Sequence, residues 1–248
     1  MTFSVGTLSI IVIAMSVGAF IKGATGQGLP QIAIPVMASF LGVEHAVVVM
    51  AIPGIVSNSW LMWTYRDHLQ RTRDLPAMLV TGILGAVAGT ALLTTLDERV
   101  LSLALASVIV LYVVVFFTQP EFRLRPEVTR YLSPPVGLAA GVLQGSTGIS
   151  GPLVSTYLHA FRLEKETYVL SVTTVFMVYA IVQTVALAIL GLYNAARFGE
   201  SFVALVPIMI MLTLGTRLTQ KLSRRTFDLM IVGVLLASGV KLVYDALG

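Results

Sequence analysis

The chain has 248 residues, of which 56% are hydrophobic and only 11% charged, against about 25% charged in an average soluble domain. So few charges could not cover the surface of a soluble fold this size, so composition excludes one and points to an all-α polytopic membrane protein. Lys and Arg outnumber Asp and Glu by 16 to 12, an excess that fits cytoplasmic loops better than nucleic acid.

Apolar segments run at 4–21, 29–42, 45–65, 75–95, 100–118, 131–144, 152–161, 167–191, 201–218 and 229–247, which predicts eight to ten membrane helices and half-helices. A full span needs roughly 20 residues, so 29–42, 131–144 and 152–161 are too short. All three flank a Gly-rich break. The first break is Lys22-Gly23-Ala24-Thr25-Gly26-Gln27-Gly28-Leu29-Pro30, and the second is Gln144-Gly145-Ser146-Thr147-Gly148-Ile149-Ser150-Gly151-Pro152. Each flanking pair reads as a helical hairpin with its tip inside the membrane. No basic n-region or cleavage site marks a signal peptide at the N-terminus. There is no cysteine, and the three His are far apart. No disulfide, metal site or cofactor is therefore expected.

The two breaks expose an internal repeat. An offset of 122 places Gly23, Thr25, Gly26 and Pro30 on Gly145, Thr147, Gly148 and Pro152, and Ala38, Leu41, Glu44 and Val47 on Ala160, Leu163, Glu166 and Val169. Further on, an offset of 126 places Gly89, Thr90, Leu92, Leu96 and Arg99 on Gly215, Thr216, Leu218, Leu222 and Arg225. If each hairpin enters and leaves on one side, each repeat makes an odd number of net crossings and the second copy is upside down. That threading puts twelve Lys and Arg on one side, in loops 66–74, 119–130, 162–166 and 217–225, and only Arg99 and Arg197 on the other. Lys22 and Lys241 lie within or near helices. The asymmetry is a strong positive-inside signal. The expected organisation is a first transmembrane repeat over 1–118, a cytoplasmic linker over 119–130 and a second, inverted repeat over 131–248, with both termini outside.

Inverted repeats with interrupted helices at matching positions point to a secondary transporter, its site near the midplane where the interruptions meet. A helix that starts inside the membrane has backbone N–H groups without helical partners and a partial positive charge there. Two such starts facing each other make a cradle for a small anion. Glycines at the tips allow close approach, and Pro30 and Pro152 fit the first turn. The candidate substrate-binding residues are Lys22, Thr25, Gly26, Gln27, Gly28, Gln31 and Asn58 from the first half, and Gln144, Ser146, Thr147, Gly148, Ser150, Gly151 and Gln183 from the second. Lys22 would supply a fixed positive charge, or else snorkel to an interface. Asn58 and Gln183 would line the path, or else bond between helices. Gly82, Gly85 and Gly89 read as close helix packing. Glu44, Glu166 and His159 are candidates for proton coupling, against the plainer roles of complementing a helix dipole and lying at an interface. Trp60, Trp63, Tyr112, Tyr157 and Tyr168 read as interface anchors.

With these residues in view, the chain resembles the TauE/SafE family of sulfite-exporter-like membrane transporters. The resemblance lies in size, duplicated architecture and a Gly-rich motif opening each half: Gly23-Ala24-Thr25-Gly26-Gln27-Gly28 followed by Pro30 and Pro35, and Gly145-Ser146-Thr147-Gly148-Ile149-Ser150-Gly151-Pro152. It implies transport, often outward, of sulfite, organosulfonates or related small anions, in a bacterial cytoplasmic (inner) membrane. Other small organic anions remain an alternative substrate class. No G-x-x-x-x-G-K-[ST], H-E-x-x-H or G-x-S-x-G motif occurs, which argues against an ATPase or an intramembrane enzyme. A scaffold would have no use for paired polar hairpins. The expected partners are a small anion and the lipid bilayer, and the oligomeric state is open.

Overall fold

A computed structural model describes residues 4–25, 28–68, 74–118, 124–218 and 224–247. They form ten α-helices: α1 (Val5–Thr25), α2 (Leu29–Leu41), α3 (Val43–Tyr65), α4 (Leu75–Thr95), α5 (Glu98–Thr118), α6 (Pro126–Thr147), α7 (Gly151–His159), α8 (Lys165–Ile189), α9 (Ala195–Leu218) and α10 (Arg224–Leu247). No strand occurs among the described residues. Among the described residues, six helices are long and apolar enough to cross a bilayer: α1, α3, α4, α5, α8 and α9.

Helix boundaries depart from the apolar segments where a helix starts on polar sequence. α6 begins at Pro126 rather than 131. Proline suits a first helical turn, and Glu127 complements the helix dipole. The Thr129 hydroxyl donates to Asp74 at 2.6 Å, tying this polar turn to the start of α4. α9 begins at Ala195 rather than 201, where the Asn194 side chain accepts from the Arg197 N–H at 2.9 Å and caps the helix.

The short helix α2 lies in the interior, with nine of its thirteen residues buried, as expected of a helix apolar on every face. Around it, α1 packs on α9, α4 on α6, α3 on α8 and α5 on α10. Two of these seams are close enough for backbone contact. A Cβ on Gly89 would strike the Val142 carbonyl, and one on Gly145 the Ala86 carbonyl, across α4 and α6. Across α1 and α9, a Cβ on Gly215 would strike the Phe20 carbonyl and one on Gly23 the Leu212 carbonyl. The sequence offsets of 122 and 126 carry one set of contacts onto the other: Phe20 to Val142, Gly23 to Gly145, Ala86 to Leu212 and Gly89 to Gly215.

Most membrane-depth hydroxyls bond the carbonyl one turn back, as Ser39 does to Pro35 at 2.8 Å and Thr90 to Ala86 at 2.7 Å. That satisfies them in a medium without water. Trp60 and Trp63 are exposed. Tyr157 is not the interface anchor its sequence position suggests: it is buried, its hydroxyl 2.8 Å from Ser133 and donating to the Thr129 carbonyl at 3.1 Å.

Candidate anion site

Two chain reversals build the site. At the first, Gly28 precedes α2 with φ 112°, and at the second Gly148 ends α6 with φ 71°. Both values lie in the left-handed region that glycine adopts without a Cβ penalty. Each reversal is followed by a helix start with proline in its first turn. The first helical hydrogen bonds are Ile32 N–H to Gly28 and Val154 N–H to Ser150. The N–H groups of Leu29 and Gln31, and those of Gly151 and Leu153, precede those bonds and have no helical acceptor. The two starts come together, for a Cβ on Gly151 would overlap the Gln31 amide.

Between them lies a cavity with about 30 Å³ of free space, roughly two waters at about 10–15 Å³ each. Its polar lining comes from Lys22, Gly28, Gln31, Asn58, Gln144, Gly148, Ser150, Gly151 and Gln183. Nine of the fourteen candidate binding residues of the sequence are thus brought to one place. Ile34, Val47, Met50 and Phe176 supply apolar wall, and nothing in their sequence pattern set them apart from ordinary core.

Two polar pairs line the cavity, one from each half of the sequence. On one side the Lys22 ammonium, 2% exposed, donates to Asn58 Oδ1 at 2.5 Å and to the Ser57 hydroxyl at 3.0 Å. On the other, Gln144 Nε2 donates to Gln183 Oε1 at 3.0 Å, and Gln183 Nε2 donates back to the Gln144 carbonyl at 2.7 Å. Gln144 lies at the 122-residue offset from Lys22, and the two pairs differ by one charge. Ser150, at the start of α7, leaves its own helix uncapped and donates to Gln144 Oε1 at 2.8 Å. Lys22 is the only charged side chain among the described lining residues. An ammonium has three donors, so two bonds leave one for a ligand.

The remaining candidates fall elsewhere. Gly26, Gln27 and the side chain of Thr25 lie outside the described residues. The Ser146 hydroxyl donates to the Val142 carbonyl at 2.8 Å and does not line the cavity. Thr147 donates to the Leu143 carbonyl at 2.7 Å and accepts from the Ile149 N–H at 3.3 Å, so it braces the reversal from outside the cavity. Glu44 pairs with Arg197 at 2.8 Å, and the neighbouring His45 lies 2.6 Å from Glu200; both contacts join α3 to α9 away from the cavity. His159 is exposed at the end of α7, its ring edge-on to Tyr168. Glu166 sits half-buried in the first turn of α8. Tyr179, which sequence reasoning did not single out, is fully buried and donates to the Met78 carbonyl at 3.0 Å, tying α8 to α4.

Interrupted helices meeting at a polar cavity inside an apolar bundle define an integral membrane protein of transporter type. The model of the family described as Sulfite exporter TauE/SafE matches residues 10–242. The chain belongs to this family, and it is a membrane transporter of the sulfite-exporter type rather than an enzyme. No curated protein and no solved structure matches it significantly.

Proposed function

We propose that the protein is a secondary exporter of a small sulfur-containing anion such as sulfite, held between the starts of α2 and α7 beside Lys22. One observation carries the reading: two helix starts, whose first-turn N–H groups have no helical acceptor, and a single buried ammonium border one cavity. Oriented N–H donors and a fixed positive charge favour an anion and disfavour a cation. The free space of about 30 Å³ suits a compact oxyanion. An organosulfonate would need Ile34 or Phe176 to give way, so this class ranks second.

The repeats carry the same proposal. We read 1–118 and 131–248 as inverted copies joined by a cytoplasmic linker over 119–130, with both termini outside a bacterial inner membrane. The matched contacts across the two seams support the duplication, and the distribution of Lys and Arg supports the orientation. Alternating access would then exchange the conformations of the two copies around the cavity. Purified protein in proteoliposomes loaded with labelled sulfite provides the test. Saturable efflux, competed by unlabelled sulfite and weakly by taurine-sized sulfonates, is expected. Leakage no faster than from empty liposomes, with sulfite and with small carboxylates alike, would overturn the proposal.

A further inference from the structure

We infer that two side-chain contacts at the outer ends of α3 and α9, Glu44 with Arg197 and His45 with Glu200, form a gate that shuts the cavity from the outside and parts in each transport cycle. This rests on the reading of two inverted copies above and adds the groups that close one end.

The four side chains take no part in the anion site, yet they join the two halves of the sequence. Glu44 and His45 stand in the first turn of α3, and Arg197 and Glu200 in the first two turns of α9. Arg197 Nη2 lies 2.8 Å from Glu44 Oε1, and its Nη1 donates to the Leu192 carbonyl at 3.1 Å, so the guanidinium fork also fixes the turn ahead of α9. His45 Nε2 lies 2.6 Å from Glu200 Oε2. From the same turn the Tyr193 hydroxyl donates to the Val48 carbonyl at 3.1 Å. Three links thus tie the stretch 193–200 of the second half to the start of α3. The halves cannot part at this end without breaking them.

The setting suits contacts that form and break repeatedly. Glu44, His45 and Arg197 are partly open to water, and Glu200 alone is buried. Pairs this exposed hold only weakly. Water can also take up the freed groups, whereas a fully buried pair would leave unpaired charge in apolar surroundings.

The opposite end of the molecule lacks these ties. The offset of 122 carries Glu44 and His45 to Glu166 and Thr167, in the first turn of α8, which is the cytoplasmic end in the inverted threading. Among the described residues Glu166 makes no ion pair, and the Thr167 hydroxyl is buried without a hydrogen-bond partner. The residue four before Thr167 precedes the helix, so the usual bond to a helical carbonyl one turn back is not made. The polar tie from α8 to α4 comes instead from Tyr179, well inside the helix. Matching helix ends are therefore held on one side and not on the other. In a pair of inverted copies, that is the asymmetry of one conformation closed to one face, and exchanging the copies' conformations undoes the outer contacts.

The full chain has no cysteine of its own, and the test has two parts. In the first, His45→Cys/Glu200→Cys is reconstituted in proteoliposomes and bridged by a short bis-methanethiosulfonate, which reductant removes. Bridging should slow efflux of labelled sulfite about tenfold or more, with recovery on reduction, while the reagent leaves each single-cysteine variant at its own rate. The second part needs no substrate, because Ala51→Cys reports from the cavity wall. In spheroplasts, a membrane-impermeant thiol reagent added outside should modify it slowly, and about tenfold faster once Glu44→Gln/Glu200→Gln removes the gate, since reactivity follows the population open to that side. Arg197→Gln takes the place of the double variant if that one does not fold. A bridged protein that exports at its unbridged rate overturns the inference, and so does an Ala51→Cys reactivity that ignores the gate variants. A gain seen only from the cytoplasmic face overturns the threading above. Absence of sulfite efflux from the wild type, together with a gate-dependent Ala51→Cys, overturns the sulfite reading and supports the gate. An Ala51→Cys that reacts from neither face, gate variants included, takes the cavity off any transport path and overturns both.

Discussion

Replacing Lys22 by glutamine separates binding from folding. In the wild type the ammonium is buried and holds Asn58 and Ser57 with two of its three donors. An anion taking the third donor would sit at about 3–4 Å. At an effective dielectric of about 20 the pair attraction is about 4 kcal/mol, and a hydrogen bond to a charged group contributes about 1.5–3 kcal/mol on its own. The two figures describe the same contact and are not additive. Loss of about 3–4 kcal/mol weakens affinity roughly 100- to 1,000-fold. The unliganded fold should not suffer in proportion, because a buried charge held only by neutral groups carries a desolvation cost that glutamine lacks. The substitution also makes the two polar pairs alike, with a glutamine amide facing Asn58 as Gln144 faces Gln183. The expected result is a melting temperature equal to or above wild type, with the sulfite-dependent shift abolished; Lys22→Arg, keeping the charge, should retain part of it. A ligand at 100 times its Kd stabilises by about 2.7 kcal/mol, which a thermal-shift assay resolves readily. If Lys22→Gln binds sulfite within about threefold of wild type, the ammonium is not the anion's counter-charge.

Three further outcomes are expected. Gly148→Val should destabilise strongly and leave little folded protein in a size-exclusion assay, because its φ of 71° is strained for any side chain and Ile34 occupies the space of a Cβ. Thr147→Val should lower stability by about 0.5–1.5 kcal/mol through loss of the brace at Ile149 and change affinity less than Lys22→Gln does; a large affinity loss at unchanged stability would put the hydroxyl in the site. Single cysteines replacing Arg71, Arg125 or Arg224 should react with a membrane-impermeant maleimide only from the cytoplasmic face, and one replacing the exposed Asn194 only from outside. Labelling of Asn194→Cys and Arg71→Cys from the same side would refute the inverted threading.

Much of the fold is legible because apolar runs and Gly-Pro breaks are local signals. The reversals at Gly28 and Gly148, and the helix starts after them, follow from chemistry within a few residues. The polar starts of α6 and α9 escape hydropathy because Glu127, Arg130, Arg197 and Glu200 interrupt the pattern while the backbone stays helical. The site divides in a similar way. Lys22, Asn58, Gln144 and Gln183 are conspicuous because polar side chains are rare at membrane depth. Their pairing depends on which faces α1, α3, α6 and α8 turn to one another, and no local pattern records that. Ser146 and Thr147 look like ligands in sequence, yet each has a backbone carbonyl within reach on its own helix and bonds to it. The burial of the Gln31 side-chain oxygen without a hydrogen-bond partner depends on side-chain placement and has no sequence signature.

The two glycine seams are unequal, and stiffness follows from that. Between α4 and α6, Gly85, Gly89, Gly137, Gly141 and Gly145 each bring a main chain against its neighbour, whereas between α1 and α9 only Gly23 and Gly215 do. Where backbone meets backbone there is no layer of rotatable side chains to absorb a shift, so sliding means parting the contact. Where side chains intervene, a change of rotamer can take up the displacement. The bundle is thus clamped most firmly along α4 and α6 and is more compliant along α1 and α9. The compliant edge belongs to the helix that carries Lys22, so a movement that opens the bundle there also moves the cavity's charge.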